Sequence, residues 1–455
     1  MRKFWYAVGI AGTMSAAACS TDTQPHHPLP VLLQDRTYRP LRARCVCSPS
    51  TAASLGSFGR PPVRPELVRL GQALIFDKEL SGNRDISCMT CHLPPLATGD
   101  GRSLSVGQGG SGLGPVRTIP AGGFIARNAP PLFNLFAVGP LFLDGRVVHE
   151  IGKGYATPAG SQLTAAMTSV FEFGALSAQP MFPVLSRAEM RGDGTSNELA
   201  AIDDKQAGKI WDGIMTRLGR IPEYRRMFEA AYPGKLFAEM NFGYASNAIA
   251  GFLIDRLAFN NSPWDRFLAG EDNALTATQL AGAKDFMSAR CSICHNGPAF
   301  TDNKFHNVAV AQLGPGEGDG PSGHDDFGRM RVTKNPADRY AFRTSALRNV
   351  ELTAPYGHDG AFTELRAFVD HYSESDLKLR TYDASQLEAA LRGTVLHDFD
   401  AILATRDPLL SGVKFPAKTI DEVTEFMKAL TDPAARDLHA IAPTRVPSGL
   451  SIDGN

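Results

Sequence analysis

"SCMTCHL" spans Ser87–Leu93, and "RCSICHN" spans Arg290–Asn296. Each contains Cys-x-x-Cys-His, with Cys88, Cys91 and His92 in the first and Cys291, Cys294 and His295 in the second. That order suits covalent c-type haem. The two thiols add to the haem vinyl groups, and the adjoining imidazole reaches the iron from one side. A zinc site built from the four thiols, or a redox Cys-x-x-Cys, leaves both histidines unexplained. The pair of motifs therefore predicts two covalent haems, with His92 and His295 as proximal ligands.

The flanking sequence repeats along with the motifs. Ahead of the first, "PELVRLGQALIFDKEL" places Leu67, Leu70, Leu74 and Ile75 on one helical face and leads directly into the Cys pair. Ahead of the second, "LTATQLAGAKDFMSARCSICH" offers a capping box, Thr276 with Gln279, and an apolar stripe of Leu280, Ala283, Phe286 and Met287. This is an internal repeat of about 200 residues, in pattern rather than identity. Between the motifs, "NFGYASNAIAGFLIDRLAF" reads as a helix joining the halves. Near the end, "TIDEVTEFMKALTD" predicts a helix with a capping box at Thr419 and Glu422. Its buried face would be Ile420, Val423, Phe426, Met427 and Leu430. "SVGQGGSGLGP" and "LGPGEGDGPSG" read as loops. The expectation is a mostly α chain with long functional loops.

With 455 residues, 43% of them hydrophobic, the chain has enough apolar material for two or three domains. The 46 basic and 47 acidic residues leave a net charge of −1 and no electrostatic case for nucleic acid. The opening "MRKFWYAVGIAGTMSAAACSTD" has a basic start and a short apolar run, a secretory signal rather than a membrane span. "SAAAC" resembles a lipoprotein processing box with Ala16 where Leu is usual; in that reading Cys19 becomes a lipid anchor. Ordinary cleavage near Ala18 is the alternative, and both readings export the chain to the periplasm. The divisions expected are a signal over 1–18, a tether over 19–65, and haem domains over 66–240 and 241–445. Cys45 and Cys47, one residue apart, are poorly placed to bridge each other and receive no role.

Two haems could merely carry electrons, each with both axial positions filled. A haem that reacts with peroxide keeps one position open. The residues opposite His92 and His295 decide between a non-catalytic electron carrier and an enzyme.

Here the chain resembles the bacterial di-haem cytochrome c peroxidases and their relative MauG. The resemblance covers about residues 66–440. It is carried by "LGQALIFDKELS", "SCMTCH", "SVGQG", "ARNAPPLFN", "LDGR", "AEM", "CSICH" and "FRTSALRNVELTAPYGHDGAF". It implies two cytochrome c-like haem domains packed around an inter-domain calcium site. It implies reaction with hydrogen peroxide at the first haem, and a small redox protein donor or a protein substrate as partner. In "AQPMFPVLSRAEM" it implies Glu189 as the acid–base group above the open iron, aided by Gln179. The stretch between Asp144 and Glu189 is longer than in short family members, which implies an insertion near 150–175. Gln108 stands where the peroxidases often place a ligating histidine, so the first haem resembles that of MauG, open without prior reduction. Tyr372 in "FVDHYSES" falls at the sixth ligand of the second haem, where MauG has Tyr and other members have Met. On the residues alone, His371 or a remote Met remains an alternative. Asn128, Thr353 and Pro355 match the calcium ligands. Leu143 replaces the Trp that usually precedes "DGR" and is thought to relay charge between haems.

Overall fold

The computed structural model describes residues 59–120 and 123–453. Cys19, Cys45 and Cys47, the signal and most of the tether lie outside the described residues.

The longer helices are α1 (Pro65–Phe76), α2 (Ala207–Gly219), α3 (Pro222–Ala231), α4 (Phe242–Arg256), α5 (Ala277–Ser288), α6 (Leu365–His371) and α7 (Ala417–Lys428). Among the described residues, strands are confined to two small antiparallel pairs, β1 (Val148–Glu150) with β2 (Gly154–Ala156), and β3 (Phe305–His306) with β4 (Phe342–Arg343). The chain is mostly helical, joined by long loops.

Two apolar cores organise it. The first gathers Leu67, Leu70, Leu74 and Phe76 of α1 with Phe242, Ala248 and Phe252 of α4, and Cys88 packs against it. The second gathers Leu280, Ala283 and Phe286 of α5 with Ile420, Val423 and Phe426 of α7, and Cys291 packs against it. The same device closes both helix pairs. A Cβ on Gly71 of α1 would lie 2.0 Å from the carbonyl oxygen of Ala248, and one on Gly282 of α5 would lie 1.8 Å from that of Glu422. Only glycine lets the backbones approach so closely. The repeat seen as a sequence pattern is thus a repeat of packing, in which the helix before each haem motif crosses a later helix at a glycine.

Several local expectations change. α4 joins the first core, and so do Ala435, Leu438, Ile441 and Val446, so the cores do not divide at residues 240 and 241. α4 is buried on nearly every face because α1, α2 and α3 all pack on it. α7 begins at Ala417 after Pro416, with no side-chain cap, so Thr419 and Glu422 do not form the expected box. Proline after an extended residue already sets the helix entry. The box at Thr276 and Gln279 is present, with both hydrogen bonds made. α5 runs nearly into its Cys pair, whereas α1 is separated from Cys88 by the turn Lys78–Leu80 and a further loop. The segment near 150–175 forms the β1–β2 hairpin and short helical turns.

Candidate haem and peroxide site

Each histidine is held in the same way. His92 Nδ1 lies 2.9 Å from the Thr98 carbonyl, and His295 Nδ1 lies 3.0 Å from that of Phe300. A carbonyl only accepts, so each Nδ1 carries the proton and each Nε2 keeps its lone pair for a metal. Thr98 and Phe300 both have left-handed backbone, with φ of 65° and 56°. Non-glycine residues adopt that conformation uncommonly, and here it turns the loop back to deliver the carbonyl. Burial lowers the pKa of both imidazoles and so favours the neutral, ligating form. Sequence reading missed Thr98 and Phe300, because a backbone carbonyl leaves no residue-type signal.

The thiols are also in ligand-ready surroundings. Burial pushes Cys88 and Cys91 up to about 12 and Cys291 up to about 11. Among the described residues, the one cluster of three or more potential metal ligands is Cys294, Asp302 and His306. The four thiols do not converge, so the zinc alternative has no site.

Around the second motif lies a cavity of about 240 Å³. Cys291, Cys294 and His295 line it, and so does Tyr372, the residue just after α6 and close enough to both thiols to feel them electrostatically. Burial, reinforced by the two thiols, raises the Tyr372 phenol well above its usual range. Its ionisation therefore depends on a nearby positive charge such as a ferric ion. His371 turns away. Its Nε2 donates to the Val308 carbonyl at 2.8 Å, and its ring packs at Phe362. Met427 also lines the cavity wall. An apolar, concave space with two thiols, an imidazole lone pair and a phenol fits a covalently attached haem.

At the first motif, the turn Arg187–Arg191 is a π-helix, a form found often at functional sites. It carries Glu189 close enough to influence both Cys88 and Cys91 electrostatically, and Met190 Sδ lies 4.0 Å from Cys88 Sγ. Glu189 is half-buried. Desolvation raises its pKa; Arg146 and Arg127 oppose the shift and Glu317 adds to it. Those three charged neighbours belong to an ion network in which Arg127 binds both Asp144 (2.8 Å) and Asp326 (2.6 Å). Gln179 is half-buried on the turn Gln179–Met181. That turn reaches the Glu189 turn through Pro183–Leu185.

Gln108 is fully engaged by protein. Its amide nitrogen donates to Asp85 (3.0 Å) and to the Met190 carbonyl (2.9 Å), and its oxygen accepts from Asn83 (2.6 Å). It fastens the 105–110 loop onto the Glu189 turn. Leu143 lines the second cavity. Its neighbour Phe142 points toward the first core, stacked under Arg146 at 3.6 Å and edge-on to Phe182. Asn128, Thr353 and Pro355 all line the cavity at the second motif. The Asn128 amide donates to the carbonyls of Arg102 (2.8 Å) and Ser103 (3.2 Å), which leaves Oδ1 pointing away from those partners.

A helical chain with two separately cored Cys-x-x-Cys-His centres defines a di-haem c-type protein. Residues 65–273 match the family described as di-haem cytochrome c peroxidase. The cytochrome c551 peroxidase of Pseudomonas aeruginosa is 32% identical over 307 residues, 67% of this chain and 71% of its own length. The methylamine utilization protein MauG of Methylorubrum extorquens is 29% identical over 313 residues, 68% of this chain and 69% of its own. The crystal structure of a MauG-like protein associated with microbial copper homeostasis superposes with a TM-score of 0.55 at 26% identity, covering 84% of this chain and 93% of that one. The diheme peroxidase BthA from Burkholderia thailandensis shares the fold, with a TM-score of 0.56 at 21% identity over 86% of this chain and 91% of its own. The chain belongs to the di-haem cytochrome c peroxidase family and is an enzyme of that kind.

Proposed function

We propose that this enzyme is exported and reacts with hydrogen peroxide at the centre of Cys88, Cys91 and His92. Oxidising equivalents or electrons then pass through the centre of Cys291, Cys294 and His295. Bound haem supplies the redox chemistry at both centres. The observation that carries the reading is Glu189, a half-buried carboxyl of raised pKa on a π-turn beside the first pair of thiols. A carboxyl poised closer to neutrality than a surface glutamate takes a proton from one peroxide oxygen and returns it to the other as water leaves. Gln179 assists by orienting the peroxide. Gln108, held by three protein partners, does not serve as a ligand, which supports an open first centre.

At the second centre, Tyr372 would supply the sixth ligand, because it lines the cavity together with the thiols while His371 is bound elsewhere. These features favour MauG-like chemistry, in which a protein substrate or another donor is oxidised, over a cycle that begins with prior reduction. Asn128 Oδ1 and the carbonyls of Thr353 and Pro355 hold calcium, whose preference for oxygen donors they meet. The partners are hydrogen peroxide and a small redox protein or protein substrate, in the periplasm.

Optical and EPR spectra of the oxidised protein, before and after one equivalent of peroxide, test the reading. One high-spin and one low-spin haem, both altered by peroxide, are expected. Two low-spin haems inert to peroxide would instead identify a non-catalytic electron carrier.

A further inference from the structure

We infer that Arg343 is an anchor for a propionate carboxylate of the second haem. Arg343 ends β4 and lines the cavity that holds Cys291, Cys294, His295 and Tyr372. Its guanidinium makes one protein hydrogen bond, from Nη1 to the Thr344 carbonyl at 3.1 Å, and its Nε is buried without a partner. Among the described residues, no carboxylate pairs with it. Several other arginines with little exposure pair with carboxylates, Arg102 with Glu388, Arg127 with Asp326, Arg217 with Glu198 and Arg348 with Asp265, and buried Arg117 is satisfied by the carbonyls of Val106, Gly107 and Gly112. Burial alone pushes the Arg343 guanidinium down to about 10, the mark of a cation whose lost hydration nothing has replaced. Arg343 is half-buried with its Nε closed off from solvent, a charge there without a partner is costly, and a guanidinium is shaped to take a carboxylate through two parallel hydrogen bonds.

The other cations on this wall are already placed. His306 lies between Asp407 (2.5 Å) and Asp302 (3.2 Å), and Arg290 is exposed at the mouth with its Nη1 on the Leu409 carbonyl. Arg343 alone asks for an anion from inside the cavity, and haem carries carboxylates. The backbone N–H of Arg343 also donates to the Leu143 carbonyl at 2.8 Å. The main chain of Arg343 is thereby tied to the segment that bears Asp144 and Arg146.

The inference rests on the assignment of this cavity to a haem, and the test separates the two. Mass spectrometry of the parent, Arg343→Leu and Arg343→Lys proteins counts haems first; a parent without haem on Cys291 and Cys294 overturns both readings. With both haems present, redox titration should show the second haem at a lower potential in Arg343→Leu, because a cation near the iron is lost, and near the parent value in Arg343→Lys. An unchanged potential in Arg343→Leu overturns the anchor. Resonance Raman of the parent gives a reading that needs no variant to fold. A propionate bending band at the hydrogen-bonded position is expected, and one at the free, hydrated position for both propionates of the second haem overturns the inference.

Discussion

Thr90 Oγ1 donates a hydrogen bond to Asp453 Oδ2 at 2.5 Å, joining the tail of the chain to the middle of the first Cys-x-x-Cys-His. Lys78 pairs with the same carboxylate at 2.7 Å, and Ser448 Oγ donates to Asp77 at 2.7 Å. Val446 is buried in the first core. The tail is therefore a strap across the first centre. Asp453→Ala leaves Lys78 without its carboxylate and the Thr90 hydroxyl without its acceptor in a nearly closed site, and should lower unfolding stability by about 3 kcal/mol. Asp453→Asn, which still accepts from Thr90, should cost less. Denaturant unfolding of the two holoproteins checks the order.

Glu189→Gln keeps the shape of the π-turn and removes the proton carrier. Both haems should remain attached, and reaction with peroxide should slow by about 100- to 10,000-fold, the usual contribution of a positioned acid–base group. Stopped-flow mixing with peroxide measures it. An unchanged rate would make Glu189 a solvated loop carboxylate.

His306 gives stability a pH dependence. Its pKa is raised to about 10, first by hydrogen bonding to Cys294, then by Asp407 and Asp302, against the cost of burial. Once Cys294 is tied into a thioether, the two carboxylates carry the shift, so the folded value falls but stays above the ordinary 6.5. A raised histidine stabilises fully below its unfolded pKa, and the contribution is lost as pH rises through the folded value. Stability of the parent should therefore decline as pH rises above about 6.5, with the decline complete before pH 10. His306→Gln should flatten that decline in thermal melts over the same range.

The sequence made the apolar stripes readable because helical period and burial are the same fact seen twice. Leu67, Leu70, Leu74, Leu280 and Phe286 all face their cores. It did not reveal the Gly71–Ala248 and Gly282–Glu422 crossings, since a glycine in a helix carries no sign of its partner. The Thr98 and Phe300 carbonyls were hidden for the same reason. Thr419 and Glu422 fit a capping pattern, yet Pro416 starts the helix earlier and takes that role. Arg343 looked like any arginine in a matched motif; only its missing partner sets it apart. Tyr372 and His371 were adjacent candidates, and one backbone carbonyl, that of Val308, separates them in space.

Tyr372 is where the family branches meet. Its ring lines the second cavity with Cys291 and Cys294, and burial holds its phenol protonated unless a strong positive charge is near. If the Tyr372 phenolate is the ligand opposite His295, that haem should be low-spin and hard to reduce, because an anionic ligand favours oxidised iron. Tyr372→Phe removes the oxygen and keeps the ring against Phe368, with centroids 5.5 Å apart, so packing should change little. The low-spin signal should then change, the second haem should become easier to reduce, and the peroxide-oxidised protein should decay faster. EPR, redox titration and stopped-flow decay read these three effects separately. If spectra and potentials match the parent, Tyr372 is a packing aromatic, Met427 becomes the next ligand to test, and reaction with peroxide should then follow the conventional cytochrome c peroxidase course.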